Sequence, residues 1–180
     1  MNERPPLSGT AVREMLTYDG RTVILSWWPA PYWPPPERIT QASGVCYTER
    51  GQVVLVVGQR GQRALPGGHL EPWEAPWEAL IREVREEACA AVLQHAYLGA
   101  QRVDDPAAPD GLAEYYQLRY WARVRLEPFA ARHETIARLL APPNQVLAAL
   151  GWRATQVATR YLAAAHSLAT FPCPASRDED

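Results

Sequence analysis

The chain contains no lysine; all 18 of its basic residues are arginine. A GC-rich coding sequence accounts for that bias without invoking a partner. Formal net charge is -2 over 180 residues. That leaves no basic footprint and argues against polymeric nucleic acid as a ligand. Cysteine is scarce, and Cys46, Cys89 and Cys173 are odd in number and widely spaced. They form neither a disulfide framework nor a zinc pattern, and a reducing cytoplasm is the expected location. His69, His95, His133 and His166 show no ligand spacing either. The opening MNERPPLSGTAVREM has no apolar core of signal-peptide length. No apolar run in the sequence is long enough to span a bilayer, so no membrane partner is expected. The length suits one domain with a full core.

Read in order, residues 1–10 are polar and expected to be poorly ordered. Two apolar runs, Ala11–Leu16 and Arg21–Trp27, flank Asp19-Gly20 and predict a hairpin. Between Ser26 and Arg38, SWWPAPYWPPPER forbids helix and favours extended chain. Its aromatics could cover the main sheet, form a homodimer contact or stack on a base. Ile39–Thr48 and Gln52–Gln59 read as long strands, the second a β-branched run buried on both faces. Val92–Val103 and Glu114–Leu126 predict further strands, separated by the Pro/Gly/Asp loop 104–112. Glu134–Leu140 reads as a short helix stopped by Pro142-Pro143, and Arg153–Leu168 as a terminal helix. The expected division is an N-terminal extension at 1–38, a main domain at 39–170 and a disordered tail at 171–180.

The informative stretch is GHLEPWEAPWEALIREVREEACA, Gly68 to Ala90. On a helix, Glu83, Glu86 and Glu87 fall within roughly a third of the circumference. Trp77, Leu80, Ile81, Val84 and Ala88 form an apolar stripe beside them. Like charges so placed repel by a few tenths of a kcal/mol per pair, which a divalent cation would relieve. Carboxylate oxygens suit Mg²⁺ or Mn²⁺. The plainer alternative is a solvated acidic face with Arg82 and Arg85 as partners.

Gly68, Glu74, Arg82, Glu83, Val84, Glu86 and Glu87 stand in the register of G-x5-E-x7-R-E-U-x-E-E-x-G-U, where U is bulky and apolar. The stretch resembles the Nudix box, and Leu65-Pro66-Gly67-Gly68 before it is also typical of that family. Cys89 replaces the second glycine, Ala90 is small for its position, and Trp73 stands where glycine is common. Cys89 would have to take a left-handed conformation at about 1 kcal/mol or end the helix differently.

The resemblance implies an α/β fold, an αβα sandwich around a mixed sheet. It implies metal-dependent hydrolysis of a nucleoside diphosphate linked to another group: a (d)NTP, a nucleotide sugar or an ADP-ribose-like compound. It assigns the metal, Mg²⁺ or Mn²⁺, to Glu83, Glu86, Glu87 and the Gly67 carbonyl. Arg82 would hold Glu74 and Glu83, with Gly68 and Glu74 shaping the loop. The catalytic candidates are then Glu86, Glu87, Arg82 and a base. The base is a box glutamate or one from a later loop, where Glu134 is preferred to Glu114. Arg60 and Arg63 are candidates for substrate phosphates, since guanidinium forks suit phosphate oxygens. Tyr115 is a candidate for base stacking. Pro106 lies near where a proline marks ADP-ribose-type members. The other reading is a Nudix-like nucleotide sensor without turnover.

Overall fold

The computed structural model describes residues 12–18, 20–108, 111–131, 134–151 and 155–170. The expectations for 1–10, for the 171–180 tail and for Asp19 lie outside them. Strands β1 (Val12–Tyr18) and β2 (Arg21–Pro29) form the expected hairpin. Gly20 supplies the left-handed turn position at φ 75°. The remaining strands are β3 (Ile39–Thr48), β4 (Val53–Gly58), β5 (Arg63–Ala64), β6 (Gly67–His69), β7 (Ala90–Asp104), β8 (Glu114–Leu126) and β9 (Thr135–Ala141). They make one sheet in the order β1-β2-β7-β8-β3-β4-β5, with β6 on β3 and β9 on β4. Among the described strands only β3 and β8 pair in parallel, so the sheet is mixed. Through β2 and β7 the N-terminal hairpin continues the main sheet.

Helix α1 (Pro76–Ala88) covers one face; α2 (Val146–Leu150) and α3 (Gln156–Thr170) cover the other. Each face has its own core. Val54, Val56, Leu80, Val84, Leu118 and Val124 fill the α1 side. Trp27, Val45, Leu55, Trp121, Val157 and Tyr161 fill the α3 side. The β4 residues Val53 to Val56 alternate between the two, which is why that run reads as continuously apolar. The first turn of α3 is capped by a neighbouring strand. The Glu14 carboxylate accepts the N–H groups of Gln156 and Val157 at 2.9 Å each, an anion at the positive helix end.

Three expectations are corrected. The buried stripe of α1 is Ala79, Leu80, Val84 and Ala88, while Trp77 is 43% exposed. Ala79 is small enough to let the helix sit close to the sheet. That rotation leaves Trp77 at the margin, stacked on His95 at 5.9 Å. Thr135–Ala141 is a strand, not a helix. The free edge of β4 offers it a full ladder of backbone partners, which outweighs the local preference of TIARLLA. The proline-rich segment is only partly extended coil. Ser26 to Pro29 belong to β2, and Pro36–Arg38 form a 3-10 turn. Its aromatics cover the sheet. Trp27 packs on Tyr161, Trp28 on Tyr32, and Trp33 meets Tyr97 edge-on at 4.9 Å.

Candidate active site

The site is built where β6 runs into α1. Gly67 pairs with Ser43 of β3 so closely that a Cβ there would lie 2.4 Å from the Ala42 carbonyl oxygen and the Ser43 Cα. Only glycine fits, and its N–H then points at α1 and donates to the Glu87 carboxylate at 3.0 Å. At Gly68 a Cβ would lie 2.2 Å from Oε1 of Glu83. The two glycines therefore make a cradle against which two box carboxylates rest. Pro76 opens α1, and the Glu78 carboxylate accepts the Ala75 N–H at 2.8 Å, closing the first turn.

Arg82 is the hub. It grips Glu74 through two parallel bonds, Nε to Oε1 at 2.9 Å and Nη2 to Oε2 at 3.0 Å. Nη1 reaches Glu83 at 2.8 Å, and Nη2 also donates to the His69 carbonyl at 2.9 Å. Glu86 stands 3.6 Å away. Glu74 in turn accepts the Glu71 N–H. The Arg82 guanidinium holds the Glu74 carboxyl below the usual range, and Glu74 first, then Glu83, raises Arg82 above its own. This fork ties loop to helix.

Glu87 is different. It is mostly buried, and burial pushes its carboxyl up to about 7, against the Gly67 hydrogen bond. The neighbouring charges of Glu83, Glu134 and Glu86 push it the same way. Glu134, exposed at the turn before β9, lies near enough for its charge to add to that rise although 47 residues from Glu87 in the chain. With Arg82 already committed to Glu74 and Glu83, the carboxylates whose charges act on Glu87 make a region short of positive charge. Such a donor set suits a hard divalent cation. Among the described residues no three acidic, His or Cys groups already converge on one point. Glu83 is turned to Arg82, and Glu87 to the Gly67 N–H. A cleft of about 780 Å³ runs along the solvent side of α1, from Trp77 and Ile81 past Arg85 to Glu86, facing Glu127 and Pro128.

The other predicted residues scatter. Glu114 is ion-paired to Arg38 at 2.5 Å and Arg102 at 2.9 Å. Arg63 donates to the Ala149 carbonyl at the end of α2 at 2.8 Å. Arg60 is exposed in the β4–β5 turn. Tyr115 faces the α3 side near Arg119. His69 is exposed beside Gln41. Tyr116 is buried in the α1-side core.

Two arginines escaped the sequence reading. Arg119 bonds Ser43, Gln101 and Gln117, and its buried Nε has no partner. Arg138 holds the end of α1, with Nη1 donating to the carbonyls of Ala88, Cys89 and Glu127 at 2.7, 2.9 and 3.0 Å. Neither belongs to a short motif, so no local signal marks them.

The NUDIX domain family model matches residues 38–162. No curated protein matches the sequence. Among solved structures, the chain is similar to a mutant form of the Bacillus subtilis pyrophosphohydrolase BsRppH. Identity is 27%, coverage 71% of this chain and 76% of that one, and the TM-score 0.56. It is similar in fold to a NUDIX hydrolase from Nitrosomonas europaea, at 19% identity, 74% and 93% coverage and TM-score 0.56. The same holds for a C. elegans Ap4A hydrolase, at 17% identity, 73% and 99% coverage and TM-score 0.50.

Proposed function

This chain belongs to the NUDIX domain family, and from that we propose that it is a pyrophosphohydrolase dependent on Mg²⁺ or Mn²⁺. Its substrate is a nucleoside diphosphate linked to a second group: a (d)NTP, a nucleotide sugar or an ADP-ribose-like compound. The observation that carries the reading is the cluster of Glu83, Glu86, Glu87 and Glu134. These carboxylates raise Glu87 together with its burial, and the chain's own arginine there is already engaged.

Glu83, Glu86, Glu87 and the Gly67 carbonyl would hold the metal, which would neutralise the diphosphate and acidify a bound water. The residues themselves do the rest. Arg82 and Glu74 fix the loop against the helix, so the carboxylates keep their spacing. The Gly67 N–H orients Glu87. Glu134, solvent-exposed at the turn before β9, would be the carboxylate outside the box that takes a proton from water attacking phosphorus. The cleft beside Glu86 gives the substrate room along α1. Among the described residues no helix is long and apolar enough to cross a membrane. A cytoplasmic homodimer completes the reading.

The test is a hydrolysis panel of dNTPs, NDPs, ADP-ribose, NADH, nucleotide sugars and dinucleoside polyphosphates, with Mg²⁺ and with Mn²⁺, in ¹⁸O-water. Turnover of one class that Glu87→Gln abolishes supports the enzyme, and the label names the attacked phosphorus. Nucleotide binding without turnover would replace it with a sensor. Trp73 and Cys89, both at positive φ where the family pattern has glycine, are the features that favour that reading.

A further inference from the structure

Helix α1 ends at Ala88 and strand β7 begins at Ala90, so a single residue, Cys89, makes the connection. A helix leaves its last carbonyls without intrahelical partners, and a glycine-type cap satisfies them with the N–H groups of the following residues. Here the chain turns straight into a ladder, Ala90 against Leu126, and no following loop remains to supply such a cap. The donors come from elsewhere. Glu127 N–H reaches the Cys89 carbonyl at 2.9 Å, and Nη1 of Arg138 gathers the carbonyls of Ala88, Cys89 and Glu127. The guanidinium lies 5.7 Å from the centre of the Phe129 ring, which closes it from the outside. The Cys89 sulfur adds weaker contacts to the backbone of Ala130.

The same strand that bears Arg138 begins beside Glu134. Its pairing with β4 slips by one residue at Ile136, since Gly58 faces Thr135 while Val57 faces Ala137. Such a slip bends a strand and re-aims its end. One short segment thus carries Glu134 at its start and, through Arg138, pins the helix turn immediately after Glu86 and Glu87. We propose that Arg138 is a positioning residue: by capping the one-residue helix-to-strand turn at Cys89 from the slipped strand β9, it sets the distance between the box carboxylates and Glu134. For its kinetic part the inference rests on the hydrolase reading above.

The test compares Arg138→Met with Arg138→Lys, because the ammonium keeps the charge and brings three N–H donors to the three carbonyls that share the two protons of Nη1. Hydrogen exchange of the Ala88, Cys89 and Ala90 amides is read in metal-free protein, together with Mn²⁺ affinity and steady-state kinetics below the melting temperature. In Arg138→Met the three amides should exchange at least about 10-fold faster, and kcat should fall about 10- to 100-fold with KM within about twofold. Mn²⁺ affinity should fall about 10-fold, and Arg138→Lys should restore most of each. Wild-type kcat and Mn²⁺ affinity in Arg138→Met, with only the melting temperature lowered, would overturn the positioning role. If the wild type itself turns over nothing, the hydrolase reading fails alone. Exchange and Mn²⁺ affinity still decide Arg138, and unchanged values overturn it. Should Arg138→Met not fold, Arg138→Gln, with neutral donors, takes its place under the same criteria.

Discussion

Among the described residues, two with side chains occupy the left-handed region, Trp73 at φ 69° and Cys89 at φ 46°. Non-glycine residues there cost roughly 1–2 kcal/mol. At Trp73 nothing offsets that, because the side chain is fully exposed. Trp73→Gly should therefore raise stability by about 0.5–1 kcal/mol, after allowing for the freer unfolded chain. Chemical denaturation reads this directly, and a loss of stability would show that the indole packs against something in solution. Cys89→Gly relieves the same strain but gives up the sulfur contacts with Ala130, so its change should be smaller. The box pattern made Cys89 and Trp73 visible as departures. Their backbone angles follow from the turn each occupies, which residue identity alone does not state.

The junction of β6 and α1 separates folding from chemistry within two adjacent glycines. A methyl at Gly67 would strike the backbone of Ala42 and Ser43, while one at Gly68 would strike only the Glu83 carboxylate. Gly67→Ala should cost at least about 2–3 kcal/mol, the range of overpacking against fixed atoms. Gly68→Ala should leave the unfolding midpoint nearly unchanged yet lower kcat about 10- to 100-fold by displacing Glu83 from Arg82. Equal destabilisation by both would refute the distinction. This element was legible because helix packing alone does not call for glycine, arginine and glutamate at such fixed spacing. Strand β9 was not legible. The seven residues of TIARLLA carry only a weak helical preference, and their state is decided by the open edge of β4, about 80 residues earlier in the chain. Misreading β9 also hid Arg138, because its carbonyl partners exist only once that strand lies beside the end of α1.

At the scale of the whole molecule, one mixed sheet divides the labour. The α3 face is mostly apolar core, and the α1 face ends in a carboxylate cluster that the fold must hold together without a matching cation of its own. That arrangement has a consequence for stability against pH. The Glu87 pKa is about 7 in the folded protein, against an ordinary 4.5. The native state therefore holds a proton that the unfolded state has released. Stability falls as pH rises from about 4.5 to about 7 and levels off above it. Discounted for partial exposure, the loss is about 2 kcal/mol. Glu87→Gln keeps an acceptor for the Gly67 N–H and cannot ionise. In EDTA it should match the wild type near pH 4 and exceed it by about 2 kcal/mol at pH 8. Saturating Mg²⁺ or Mn²⁺ at pH 8 should reverse the order. A cation at 100 times its Kd adds about 2.7 kcal/mol to the protein that binds it, and Glu87→Gln has lost a ligand. Urea unfolding at the two pH values, with and without metal, gives all four numbers. A Glu87→Gln advantage of equal size at both pH values would mean that packing, not charge, sets the difference. The cluster would then be an ordinary acidic surface, and the metal assignment would lose its physical ground.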